Sequence, residues 1–256
     1  MRSLIAFTRK ELLEHIRSGR LMLLGILFVL IGIMNPAIAK ITPWMLETMA
    51  DSFAESGMVI TDLSVDAMDA WVQYFKNIPI ALIAFVLLES SVFTREFGSG
   101  SLVLSLTKGL ERFKVVISKA VVLVSLWTVG YWVCFAISYG YTVYFWDNSI
   151  VQNLMFSVVC WYVFGLMVVA LMVLFSVLSK GNTGVLCGAG GVVFVSYMLG
   201  IVPKFSKYLP TYLMDGNSLI YGKLEIEDYI PALIITAAVI VVCFVMSIPV
   251  FNKKQL

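Results

Sequence analysis

Six separate runs of about 20 apolar residues dominate this sequence, and they constrain its fold more than any other feature. They lie near residues 21–39, 71–93, 120–146, 154–178, 185–202 and 230–251. A helix needs about 20 such residues to cross the hydrocarbon core of a bilayer. The 256-residue chain is 60% hydrophobic and 13% charged, where a soluble domain carries about a quarter charged residues. A soluble globule of this size cannot hide so much apolar surface. The expected fold is all-α: one polytopic membrane domain over residues 1–256, with six transmembrane helices. The third run is long for one crossing and too short for two with a turn, which predicts tilt or protrusion.

Charge sets the orientation. With the N-terminus inside, thirteen of the eighteen Lys and Arg fall on inner segments: Arg2, Arg9, Lys10, Arg17, Arg20, Arg95, Lys108, Arg112, Lys114, Lys119, Lys180, Lys253 and Lys254. Eleven of the sixteen acids fall outside, Glu47, Asp51, Glu55, Asp62, Asp66 and Asp69 among them. Lys/Arg bias orients membrane proteins, so both termini are expected in the cytoplasm. Tyr139, Tyr141, Tyr144, Phe145 and Trp146 suit an interfacial aromatic belt at the outer end of the third run. The Ala37-Ile38-Ala39 tripeptide resembles a signal-peptide cleavage site. The charged helical lead-in and the length of the run favour an uncleaved first span instead.

The segment SLIAFTRKELLEHIRSGR, residues 3–20, reads as an amphipathic helix on the inner membrane surface. Ile5, Leu12, Leu13 and Ile16 share one face, and Lys10, Glu11, Glu14 and Arg17 lie mainly opposite. Two roles stay open for it, a positive-inside anchor and a polar face for a cytosolic partner. The outer segment 203–229 mixes Pro203, Pro210, Gly216 and Gly222 with apolar residues, a pattern for short helices dipping into the outer leaflet.

Several chemistries are disfavoured. Cys134, Cys160, Cys187 and Cys243 each sit inside an apolar run with no CxxC, so neither a disulfide framework nor a zinc site is expected. His15 is the single histidine; no metal site and no catalytic residue is assigned. The runs contain almost no ionisable group, which argues against a proton-driven pump, an ion channel or an intramembrane enzyme. Glu89 is the exception, read as snorkelling or pairing near Arg95. Gly184 and Gly188 form a GxxxG motif, suited equally to packing within the subunit and to a dimer seam. No GxxxxGK[ST] phosphate loop is present, so the chain has no ATP site of its own. Nothing points to nucleic acid.

The stretch TREFGSGSLVLSLTKGLERFKVVISK, residues 94–119, separates the second and third runs. Residues 94–98 extend the second helix, Ser99-Gly100 permits a turn, and Ser101 caps a short helix through Leu106 that Lys108-Gly109 ends. The result is a helical elbow at the inner surface, patterned like a docking surface rather than an ordinary loop.

Here the sequence resembles the membrane subunits of type-two ABC exporters, the bacterial permease branch. That family carries a glutamate, three residues, Gly-(Thr/Ser)-Leu, then a basic Lys-Gly-Leu-x-Arg element and a lysine opening the third span. Those positions read Glu96, Gly100, Ser101, Leu102, Lys108, Gly109, Leu110, Arg112 and Lys119. Ser101 replaces the commoner threonine, and residues 69–77, DAWVQYFKN, resemble the lead-in of the same branch. The motif covers about residues 69–119; the rest matches in layout.

The resemblance implies that the elbow is a coupling helix docked on a separate cytosolic ATP-binding subunit. Arg95, Glu96, Gly98, Gly100, Ser101, Leu102, Lys108, Gly109 and Arg112 would make the contact. ATP and magnesium would bind the partner, present in two copies, and a second permease copy would complete a dimer in the bacterial cell membrane. The second and fifth spans line the path in relatives, which marks Phe85, Leu88, Phe194 and Tyr197. The expected function is ATP-driven export of hydrophobic or amphipathic cargo: peptide, drug or lipid. The alternative is a non-transporting scaffold or sensor that docks a cytosolic partner through the same elbow.

Overall fold

The computed structural model describes residues 2–48, 64–92, 94, 96, 102, 106, 107 and 109–254. Its main helices are α1 (Arg2–Arg17), α2 (Arg20–Thr48), α3 (Ala67–Glu89), α4 (Arg112–Phe145), α5 (Leu154–Leu178) and α6 (Asn182–Gly200). Short pieces α7 (Pro203–Ser206), a 3₁₀ turn (Pro210–Met214) and α8 (Gly216–Ile220) lead into α9 (Ile226–Lys253). No strand occurs among the described residues. Helices α2, α3, α4, α5, α6 and α9 are each long and apolar enough to span a membrane. Such helices satisfy their backbone internally, the condition lipid imposes.

The expected all-α plan with six membrane-length helices holds, and the helices differ in extent from the apolar runs. The first span runs on to Thr48 and keeps Ala37-Ile38-Ala39 within one continuous helix, with Ala39 buried. Pro36 lies inside this helix. Proline has no N–H, so the Gly32 carbonyl loses its helical partner; the Ser138 hydroxyl of α4 donates to it at 2.9 Å. Asn35 donates to Ser138 Oγ at 3.1 Å and accepts from Asn77 Nδ2 at 2.9 Å, tying α2, α3 and α4 together. The second span ends at Glu89, not at residue 93, and a turn over 90–92 replaces the predicted continuous extension. Ser90 Oγ bonds back to Leu87 O at 3.1 Å, the local competition that lets serine close a helix. The third span is one helix of 34 residues, about 51 Å at 1.5 Å per residue. It begins at Arg112, well ahead of residue 120, and so protrudes beyond a ~30 Å core.

Helix α5 is apolar all round and forms the centre, packed by α4, α6 and α9. Trp127 fills the junction of α2, α3, α4 and α5, 5.6 Å from the Phe85 ring and 6.0 Å from Phe28. Gly165 makes room, because a Cβ there would sit 2.0 Å from the Trp127 ring. At the opposite end from α1, the Trp161 indole donates to Met214 O at 2.8 Å and Tyr229 OH donates to Asp215 O at 2.7 Å. These bonds fasten the short helices of segment 203–229 onto the bundle. Gly188, half of the GxxxG motif, lies against Phe175 of α5, so its close approach serves packing within the subunit.

Candidate functional site

The site grows from α1. Phe7, Glu11 and His15 recur every four residues and are buried, so this stripe packs on the bundle. Ile5, Leu12, Leu13 and Ile16 are exposed. Glu11 is therefore not on a solvated face, as the sequence pattern predicted; it is 2% exposed. Its partner stands on the second turn of α4. Lys119 is 1% exposed, and its Nζ lies 2.7 Å from Glu11 Oε2 and 2.9 Å from Glu96 Oε2. It also donates to Val92 O at 3.2 Å, in the turn that follows α3. Lys10 closes the arrangement from the rim, bonding Glu96 and lying 3.1 Å from Glu11 and 3.2 Å from Glu14. One network thus joins α1, α4 and the segment after α3.

The charges set one another. Burial would push the Glu96 carboxyl up, but Lys119 and the hydrogen bonds from Lys10 and Lys119 hold it below the usual carboxylate range. Burial would lower Lys10, yet its bonds to Glu96 and Glu11 raise it further than burial lowers it. Glu11, Glu14 and Glu96 bring carboxylate oxygens within 4.8 Å of one another, a spacing that could hold a cation. Two ammonium groups already fill that role.

A second contact lies beside the first. His15 Nε2 is 2.9 Å from Glu89 Oε2, and its Nδ1 is 2.9 Å from Glu11 O. Glu89 pairs, as expected, but with His15; the side chain of Arg95 lies outside the described residues. Farther across the same end, Arg112 Nη1 donates to the carbonyls of Phe251, Asn252 and Lys254 at 3.2, 3.1 and 2.7 Å. Lys254 Nζ donates to Val177 O at 2.7 Å and Ser179 O at 2.6 Å. Cations here satisfy the last carbonyls of α9 and α5, where helix dipoles favour positive charge.

Of the predicted docking residues, Arg95, Gly98, Gly100, Ser101 and Lys108 lie outside the described residues. Glu96 is helical and buried in the network; Leu102 is helical and 1% exposed. Gly109 has φ +89° and donates to Leu106 O at 3.0 Å, a turn just ahead of α4. Arg112 turns to the C-terminal end of α9. Of the path residues, Phe85 is enclosed in the core against Trp127 and Leu88 packs beside that core. Phe194 and Tyr197 are exposed on α6. They are therefore not brought together. A cavity of about 310 Å³ between α3, α5 and α6 is lined instead by Leu82, Ile83, Val86, Trp161, Ala189 and Val193. Sequence reasoning missed Lys10, Glu11, His15 and Glu89 as one constellation. The four-residue recurrence of Phe7, Glu11 and His15 was the available signal.

Six helices long and apolar enough to cross a membrane, with buried ion pairs joining α1, Glu96 and α4 at one end, define a multi-pass membrane protein. The chain belongs to the ABC-2 family of transporter proteins, whose model matches residues 5–256. It is a multi-pass, non-catalytic membrane subunit, and the family associates with an ATP-binding subunit. We find no significant match among curated protein sequences.

Proposed function

We propose that this chain is the permease of an ATP-driven exporter in the bacterial cell membrane, with both termini cytoplasmic. Two copies, identical or closely related, form the membrane core, and two cytosolic ATP-binding subunits carry ATP and magnesium. The elbow of residues 94–119 docks each ATP-binding subunit. The observation that carries this reading is the bonding of Glu96 to Lys119 of α4 and to Lys10 of α1. A push on the elbow has rigid, charged connections into a span and into the surface helix. Burial makes those connections stiff, since separating them strands a charge.

Orientation is supported by the basic residues at that end and by the exposed aromatics Tyr141, Tyr144 and Phe145 at the other. The cargo class is supported by the apolar lining between α3, α5 and α6. Hydrophobic or amphipathic molecules fit it, amphipathic peptides first, with drugs and lipids in the same class. The test is reconstitution of the purified complex in vesicles. ATP-dependent accumulation of an amphipathic peptide on the side away from the ATP-binding subunits is expected. Full ATP hydrolysis with no movement of any hydrophobic probe would favour the scaffold or sensor reading.

A further inference from the structure

His15 is held by two acceptors. Nδ1 faces a backbone carbonyl, Glu11 O, and Nε2 faces a carboxylate oxygen, Glu89 Oε2, both at 2.9 Å. A carbonyl cannot donate, so Nδ1 must carry a hydrogen. A neutral imidazole then has a lone pair at Nε2, which would confront the carboxylate lone pairs. The observed contact therefore requires one further proton between Nε2 and Oε2. Both side chains are enclosed, His15 at 3% and Glu89 at 1% exposure, so water cannot replace the lost bond without the helices parting.

We propose that His15 and Glu89 form a proton-dependent clasp that fixes α1 to the end of α3, closed when the pair holds its proton and loosened when it does not. Among the described residues, the surrounding charges have partners of their own. From α1, Glu11 turns its carboxylate to Lys119 of α4 and to Lys10. From α2, Arg20 opposes the imidazolium and bonds Ser91 Oγ at 2.9 Å. Glu96, beyond α3, is held by Lys10 and Lys119. Among the described residues, Glu89 is thus the carboxylate bonded directly to the ring. Burial pulls the His15 imidazolium down, but the bonds to Glu89 and Glu11 O raise it further, above its usual value. A raised folded value means that the contact contributes fully below the ordinary histidine range and is lost as pH rises through the folded value. Each unit by which the value is raised corresponds to a tenfold preference for the clasped state. The clasp sits where the chain leaves α3 for the elbow; its effect on ATP-driven coupling rests on the proposed function, whereas its existence does not.

The test uses the full permease alone, in nanodiscs, with a tag free of histidine. His15 is the single histidine, so its ring resonances report one site. Ring NMR from pH 5 to 9 should show a charged imidazole persisting above pH 6.5, and Glu89→Gln should bring the midpoint down. Hydrogen exchange of the α1 amides, corrected for intrinsic rate, should quicken as pH rises from the ordinary histidine value through the wild-type midpoint, about tenfold for each unit that separates the two. In His15→Lys, which keeps its charge, exchange should not change with pH. An ordinary midpoint unmoved by Glu89→Gln, or α1 protection independent of pH in the wild type, overturns the clasp. Should Glu89→Gln not fold, the wild-type NMR midpoint and exchange profile still decide. The ATP-binding subunit is absent throughout, so failure here leaves the exporter reading standing.

Discussion

Replacing Lys119 by methionine tests the ion network directly. The side chain carries two buried carboxylates, Glu11 at 2.7 Å and Glu96 at 2.9 Å, and a backbone carbonyl at 3.2 Å. Glu11 and Glu96 balance Lys119 within the site and Lys10 at its rim; Lys10 and Glu14 are each 45% exposed and partly screened by water. Lys119→Met leaves two carboxylates on one rim ammonium. Removing one partner of a buried pair costs about 3–5 kcal/mol, because the other charge stays buried without it. At about 2–4 °C per kcal/mol for a chain of this size, the apparent melting temperature in detergent should fall by roughly 6–20 °C. Lys119→Met with Glu11→Gln restores the balance to Glu96 and Lys10, and should recover about half of the loss. The pairwise coupling from the double-mutant cycle should then be at least about 1.5 kcal/mol, half of the Lys119→Met loss plus whatever Glu11→Gln costs alone. A Lys119→Met loss below about 1 kcal/mol, or strict additivity of the two substitutions, would refute the reasoning that this network is a buried, mutually dependent unit.

Further outcomes follow from the packing and from the proposed docking. Gly188→Ala places a Cβ 2.2 Å from the Phe175 ring and should cost about 1–3 kcal/mol, read by thermal melting. Gly190→Ala, with nothing within 4 Å, should be neutral or slightly stabilising in the same assay. Ser138→Ala leaves Gly32 O without the partner that Pro36 denies it and should cost about 1–3 kcal/mol, with faster exchange of the amides around Pro36. If the 94–119 segment docks the ATP-binding subunit as proposed, Gly100→Trp should uncouple ATP hydrolysis from cargo while the permease still inserts and melts normally. Glu96→Arg is a poorer probe, since it sets a cation against Lys119 and Lys10 in a buried site and should lower the melting temperature as well.

The fold was largely legible because bilayer thickness fixes helix length and composition marks each crossing. The bounds were less so. Helix α2 passes through Pro36 with its freed carbonyl taken up by Ser138, a rescue from another helix that no local pattern announces. Helix α3 stops at Glu89 because serines close it and Lys119 claims the Val92 carbonyl, again a tertiary cause. The site was half legible. Glu96 and Lys119 stood out through their family positions, and Gly109 through the turn it closes. That Glu11 and His15 point inward is set by α4 and the end of α3, because on a short amphipathic helix a charged stripe is buried only if a neighbour supplies its partner. Phe85 shows the converse: a residue on the expected span faces Trp127 in the core, since helix phase depends on what packs around it.

In the proposed exporter, the segment between α3 and α4 receives an ATP-binding subunit. Hydrogen exchange across residues 94–119, measured on the complex purified in mild detergent and on the permease alone, tests it most directly. An ATP-binding subunit at equal stoichiometry is expected, with protection of this segment that is gained on assembly and altered by ATP. A chain that stays folded but purifies alone, or a complex in which this segment exchanges as it does in the free permease, would contradict it.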